Sequence, residues 1–102
     1  MQHLSKLQKM ILVLASCKNG AILTPAAVKA EYYGFPVRRK GKHWFRVLEI
    51  GLKRYRVAGV SVSRAFATLE RKNLVVKHYE GLTLTVSGWA VAGQVRADTL
   101  TR

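Results

Sequence analysis

The stretch SVSRAFATLERKNLVVKHYEGLTLT, residues 61–85, changes its hydrophobic period in the middle. Up to Asn73 the apolar residues recur every three or four positions, which is typical of an amphipathic helix. After Asn73 come two short runs rich in β-branched residues, LVVKHY and LTLTV, which meet at Glu80-Gly81. Such runs predict two strands of a hairpin with a tight connection. The stretch therefore predicts a long helix that leads directly into a hairpin.

The helix extends toward the N-terminus, and the period predicts it from about residue 53 to 73. We expect it to continue through Gly59; the alternative is a turn there, with Ser61 as a new N-cap. One side of the helix carries Tyr55, Ala58, Val62, Ala65, Phe66, Leu69 and Asn73, and the opposite side carries Arg56, Val60, Ser63, Arg64, Ala67 and Arg71. A face of small residues and arginines can approach base edges in a major groove. The alternative is an exposed basic helix without such a role.

Three further helices are predicted around this unit. The first spans about residues 4 to 18 and ends at Asn19-Gly20. The second opens at Thr24-Pro25 and ends at Gly34, since proline suits the first helical position and glycine the left-handed terminus. The last spans about residues 86 to 97. This order predicts one mainly helical α+β domain over residues 1–102.

The chain carries a large excess of positive charge. It has 18 Lys and Arg against 5 Asp and Glu, a net charge of +13. Such a surplus favours a nucleic-acid partner, because neutralising phosphates releases condensed counterions; an anionic membrane surface is a weaker alternative. Residues 36–77 hold 12 of the 18 basic side chains.

Within this region, residues 36–42 form a basic loop with Arg38, Arg39, Lys40 and Lys42. We expect these four cations to contact phosphates. A solvated linker without contacts is the alternative. The residues that follow the loop, 43–51, fit a short strand or a helical turn equally well.

Few residues suggest catalysis or metal binding. The single Cys17 excludes an internal disulfide and indicates a reducing, cytoplasmic location. With His3, His43 and His78 it shows no metal-ligand spacing, so we predict neither a metal nor a cofactor. The five acidic residues are scattered, which argues against an enzyme. Cys17 lies on or near the apolar side of the first helix, where a buried thiol is expected.

The N-terminal run MILVLASC also resembles a lipoprotein cleavage box. Its apolar part is shorter than a signal peptide requires, and Leu4, Leu7, Ile11 and Leu14 line one helical stripe. We therefore expect a core helix, and no segment is long enough to span a membrane.

Two short motifs carry a resemblance to a known family. Val62-Ser63-Arg64-Ala65, followed by LERKNLV at residues 69–75, resembles the VSRALxxLExKGLV signature of MarR-like transcriptional regulators. Leu84-Thr85 with Gly88 is similar to the LTxxG that follows in that group. The segment of residues 35–52 is longer than the usual turn between the second and third helices of such proteins.

The resemblance implies a winged helix-turn-helix fold, with a three-helix core, a hairpin wing at about residues 74–86 and a C-terminal helix. In such proteins the helix before the wing enters the major groove, and the wing touches the backbone or minor groove. That role falls on Ser61, Ser63, Arg64 and Thr68 of the helix and on Lys77 and His78 of the wing.

Charge and resemblance together predict sequence-specific binding of double-stranded DNA by a small transcriptional regulator. The predicted DNA-binding residues are Arg38, Arg39, Lys40, Lys42, Arg54, Arg56, Ser61, Ser63, Arg64, Thr68, Arg71, Lys77 and His78. We also expect a homodimer through the terminal helices. An RNA-binding or ribosome-associated winged helix, or a protein-interaction winged helix in a larger complex, are the alternatives.

Overall fold

The computed structural model describes residues 4–18, 20–35 and 51–100. Over these ranges the chain is mainly helical and has one small hairpin. In order, the elements are α1 (Lys6–Ser16), α2 (Pro25–Tyr33), α3 (Leu52–Arg71), β1 (Val75–Lys77), β2 (Leu82–Leu84) and α4 (Val86–Leu100). The predicted layout of mostly helix with a hairpin before the last helix is confirmed. The basic loop at residues 36–42 and the ambiguous segment up to residue 50 lie outside the described residues.

Helix α1 begins with a capping box. The amide of Gln8 donates to the Ser5 hydroxyl and the Ser5 amide donates to the Gln8 side chain, each over 3.1 Å. The helix therefore begins after Ser5, slightly later than predicted, although Ser-x-x-Gln was readable in the sequence. It ends at Ser16, with Cys17 as the C-cap. The prediction of a buried thiol is wrong: Cys17 is exposed, because the helix has already ended and the chain turns there.

Helix α2 has the predicted ends. The Thr24 hydroxyl accepts a hydrogen bond from the amide of Ala27 over 3.2 Å, and Pro25 occupies the first turn. Gly34 ends the helix in the left-handed conformation, with φ 68°. A side chain at this φ would be strained, so the glycine fixes where the helix stops.

Helix α3 continues through Gly59, as predicted, and stops earlier than the pattern suggested. Asn73 adopts φ 60°, its amide donates to the Glu70 carbonyl over 3.0 Å, and the Leu74 amide donates to the Leu69 carbonyl over 3.1 Å. These two bonds form a Schellman terminus. Asn73 is therefore an exposed terminating residue and not part of the buried face, where the sequence period had placed it.

The hairpin pairs Val75 with Leu84 and Lys77 with Leu82. Beyond this pair, the amide of His78 donates to the Gly81 carbonyl over 2.7 Å. The two central turn residues are therefore 79 and 80, and the prediction of a turn centred on Glu80-Gly81 is wrong by one residue.

Gly81 has a different role from the one expected. Leu23, just before α2, pairs with Leu82 through two backbone hydrogen bonds of 2.9 and 3.0 Å. This contact brings the Leu23 carbonyl so close to Gly81 that a Cβ there would overlap it. Gly81 is needed for this close backbone approach, and not for a left-handed turn.

Helix α4 begins after Thr85, whose hydroxyl accepts from the Gly88 amide over 3.0 Å. It packs mainly against α1 and extends to Leu100, beyond the predicted end. Between the helices and the hairpin lies one main hydrophobic core, made of Leu4, Ile11, Leu12, Ala15, Leu23, Ala27, Val28, Val62, Ala65, Phe66, Leu69, Leu74, Val75, Leu82 and Ala92. Full burial of each larger aliphatic side chain contributes about 1.5–3 kcal/mol, which fixes the rotation of each helix about its axis.

Candidate nucleic-acid interface

The outward face of α3 presents cations and small side chains together. Its inward residues Val62, Phe66 and Leu69 are buried in the core, so the helix cannot rotate about its axis without exposing them. On the opposite side Arg56, Val60, Ser63, Arg64 and Arg71 are exposed. The sequence period predicted this division correctly for the arginines. The result is an exposed, basic surface on which small side chains lie among the arginines.

Arg64 lies in the second half of this face and is exposed. It makes no hydrogen bond or ion pair with any of the described residues. Arg71, by contrast, donates from its guanidinium to the Thr68 hydroxyl over 3.2 Å. Ser61 and Thr68 are only half-exposed, at the border of the face. Among the predicted helix residues, Ser63 and Arg64 are thus the two that stand free and exposed side by side.

Arg54, also predicted to bind DNA, is exposed, but its guanidinium contacts other residues of the protein. Its guanidinium donates to the Tyr33 carbonyl over 3.3 Å and lies 5.0 Å from the centre of the Phe35 ring. Tyr33 is the last residue of α2, where the helix leaves its final carbonyl groups unpaired. Arg54 therefore joins the C-terminal end of α2 to the first turn of α3.

Next to this contact, three aromatic rings form a column between α2 and α3. The ring centres of Tyr33 and Phe35 are 5.5 Å apart, and those of Phe35 and Tyr55 are 6.3 Å apart. The Lys29 ammonium lies 4.6 Å from the centre of the Tyr55 ring. Cations over aromatic faces are attracted by the negative π-cloud. The column thus holds Lys29 at the α2–α3 boundary.

An open groove runs along this boundary. Helix α2 contributes Pro25 and Lys29 to it, and α3 contributes Tyr55, Arg56, Gly59, Val60, Ser63 and Arg64. Over the part of the chain that the structure describes, the lining includes three cations and no acidic residue. Its described lining therefore combines positively charged side chains with small and apolar ones.

The hairpin adds a second basic and apolar surface. Lys77 and His78 are exposed, and the His78 Nε2 lies 2.9 Å from the Thr83 hydroxyl across the hairpin. Val76 is also exposed, and Tyr79 at the turn is fully exposed. A tyrosine without packing partners at a hairpin tip can stack on a flat ligand group.

Lys29 and Tyr79 were not identified from the sequence. Lys29 lies among small residues of α2, and nothing in the neighbouring sequence shows that its side chain faces α3. Tyr79 carried a readable signal, since an aromatic residue beside a predicted turn cannot easily reach a core. Arg38, Arg39, Lys40 and Lys42 lie outside the described residues.

Within the described ranges, no helix is long and apolar enough to cross a bilayer, and no group of three or more His, Cys, Asp or Glu residues could hold a metal ion. Comparison of the chain with family models, with curated proteins and with solved structures found no match.

Proposed function

We propose that the chain is a winged-helix protein of the MarR-like kind that binds double-stranded DNA in a sequence-specific manner and regulates transcription. The observation that carries the proposal is the exposed face of α3, on which Arg56, Ser63 and Arg64 stand opposite a buried apolar face. An α-helix fits the major groove, and arginine can pair with both acceptors of a guanine edge. Small neighbours such as Ser63 let the helix approach closely enough for that contact.

The hairpin is proposed as the wing. Lys77 and His78 lie at the end of β1, next to the turn, where they can meet phosphates. Contacts of this type position a protein on the duplex and carry no sequence information themselves. The net charge of +13 supplies the long-range attraction for a polyanion.

A homodimer is proposed for reading two half-sites. The sequence assigned an apolar seam to both terminal helices, but the α1 stripe lies largely in the core: Leu4 and Ile11 are buried. Helix α4 retains exposed apolar residues, with Val86 89% and Trp89 42% exposed. The proposed dimer contact is therefore restricted to α4.

The test is a fluorescence-anisotropy titration of the chain with random-sequence duplex DNA, a structured RNA and a selected duplex, all at one salt concentration. The selected duplex comes from rounds of enrichment on random DNA. We expect the selected duplex to bind at least ~10³-fold more tightly than the random one, as specific DNA binders do.

Three other results are informative. Tighter binding of the structured RNA would replace the proposal with an RNA-binding role. Equal binding of selected and random duplexes would remove sequence specificity. Failure to bind either nucleic acid at physiological salt would leave a protein-interaction role as the better explanation.

A further inference from the structure

We propose that the groove between α2 and α3 holds one phosphodiester of the DNA backbone, with Lys29 as the residue that contacts its phosphate. This inference rests on the proposed function, and it adds helix α2 to a DNA surface that was otherwise assigned to α3 and the hairpin.

The first argument is the position of the Lys29 ammonium. It lies over the Tyr55 ring, 4.6 Å from the ring centre, and 3.7 Å from where a Cβ on Gly59 would stand. The stem of Lys29 is half-buried against α3, so the side chain has less freedom than a surface lysine. A cation that is already held in place loses less conformational entropy when it binds an anion.

The second argument is that Lys29 is positioned but not neutralised. Its contact is with a π-face, and none of the described residues that line the groove is acidic. An ammonium group has three N–H donors, and a ring below it leaves donors free on the opposite side. A negatively charged ligand can therefore reach it without displacing a carboxylate.

The third argument is the shape and chemistry of the groove. Arg56 and Arg64 line the groove from α3 and Lys29 lines it from α2, and Val60 and Gly59 are also part of its lining. An anionic strand with apolar sugar edges fits such a surface, since the Lys29 ammonium meets the phosphate and the apolar lining residues meet deoxyribose, which leaves Arg64 for a base edge. DNA of the duplex that α3 enters presents this chemistry beside the groove.

Gly59 explains how α3 leaves the groove open. An added Cβ would meet only the end of Lys29, at 3.7 and 3.9 Å, which is ordinary contact. Alanine therefore fits, whereas a longer side chain would extend into the groove and displace the ammonium from Tyr55. The helix itself would tolerate both, because alanine and leucine are good helix formers.

The experiment measures the affinity of variants for a random-sequence duplex over a range of salt concentrations. A phosphate contact is independent of sequence, so no operator is required. Lys29→Met keeps the length of the stem and removes the charge, and Lys29→Arg keeps the charge. Lys9→Met is the matched control, since Lys9 is an exposed lysine of α1 that does not line the groove.

We expect Lys29→Met to weaken binding roughly tenfold, as removal of one charged interaction does. Its slope of log affinity against log salt should fall by about 0.9, the value for one phosphate. Lys29→Arg should retain the slope, and Lys9→Met should retain both slope and most of the affinity.

A second pair of variants tests the groove without changing charge. Gly59→Ala should bind as the unmodified chain does, and Gly59→Leu should bind as weakly as Lys29→Met while keeping its helical circular dichroism and a thermal midpoint no lower than that of the unmodified chain. Equal behaviour of Lys29→Met and Lys9→Met, or full binding by Gly59→Leu, would overturn this inference and leave the proposed function intact. Absence of duplex binding by the unmodified chain would overturn both.

Discussion

The hydroxyl of Thr85 donates a hydrogen bond to the backbone carbonyl of Asn73, with the two oxygens 2.7 Å apart. The same hydroxyl accepts from the Gly88 amide, and the Thr85 amide donates to the Leu74 carbonyl over 3.1 Å. One residue thus joins the end of α3, the second strand and the start of α4. The orientation of the hairpin relative to α3, on which the proposed DNA surface depends, is set at this point.

Thr85→Val tests this junction, because valine has the shape of threonine without its hydroxyl. The variant leaves the Gly88 amide without its cap and the Asn73 carbonyl without its donor. We expect it to lower the free energy of unfolding by about 1–2 kcal/mol. Urea denaturation measures the difference, and Thr85→Ser, which keeps the hydroxyl, is the control. Equal midpoints for the valine and serine variants would contradict the assigned role.

Replacing glycine with alanine should have opposite effects on the stability of the protein at two positions of α4. At Gly88 an added Cβ would overlap the Leu74 carbonyl oxygen, whereas at Gly93 it would meet open space. Gly93→Ala should stabilise the protein by roughly 0.5–1 kcal/mol, because glycine is a poor helix former. Gly88→Ala should destabilise it by about 1–3 kcal/mol, as overpacking does.

Thermal denaturation of the two alanine variants provides the check. The midpoint of Gly93→Ala should lie several degrees above that of the unmodified chain, and the midpoint of Gly88→Ala several degrees below it. For a domain of this size, ~1 kcal/mol corresponds to roughly 4–8 °C. Equal stability of Gly88→Ala and Gly93→Ala would contradict the close contact between Gly88 of α4 and the Leu74 carbonyl.

The local features of the fold were predictable because each depends on residues near one another in the chain. Thr24-Pro25 and Gly34 specify the ends of α2 by capping geometry and backbone sterics alone. The 3.6-residue period likewise placed Arg56 and Arg64 on the outward face of α3. Such signals depend only on residues that are close together in the sequence.

The features that were missed depend on tertiary contacts. Leu23 pairs with Leu82 from a distant part of the chain, and this pairing, not turn geometry, is what requires glycine at position 81. The attachment of Arg54 to the end of α2 and the placement of Lys29 on Tyr55 arise in the same way. Helical period identifies a face, but it does not identify which cation an adjacent helix engages.

Arg64 should contribute to sequence discrimination. Its guanidinium is exposed on α3 beside Ser63 and has no partner among the described residues. A bidentate contact to guanine is worth about 1–3 kcal/mol of discrimination. Arg64→Ala should therefore weaken binding to a selected duplex much more than to a random one. Lys53→Ala, also an exposed cation of α3 but outside the groove, is the control; equal weakening of the Arg64 variant on both duplexes would indicate a phosphate contact.

Assembly should depend on α4. We expect a homodimer at tens of micromolar, detected by sedimentation velocity, because Val86 and Trp89 are exposed on that helix. Replacing them with glutamate should give a monomer with unchanged circular dichroism, since a charge placed in an apolar interface is costly to desolvate. A monomer of the unmodified chain at that concentration would count against the dimer.

The basic loop should respond differently from Arg64. Arg38, Arg39, Lys40 and Lys42 place four cations within five positions, and Gly41 lets the backbone follow a line of phosphates. Since phosphate contacts carry no sequence information, replacing all four with alanine should weaken selected and random duplexes alike. The slope of log affinity against log salt should decrease by about 0.9 for each phosphate that the variant no longer neutralises.

This measurement also separates the loop from Lys29, since Lys29→Met removes one proposed phosphate interaction and the fourfold variant removes up to four. Combining the two sets of substitutions should add their slope changes if the loop and the α2–α3 groove meet different phosphates. An unchanged salt slope in the fourfold variant, with its circular dichroism intact, would show that residues 38–42 are a solvated linker. The remaining salt dependence would then come from other cations, and the arginines of α3, the hairpin and Lys29 are the ones proposed to meet DNA.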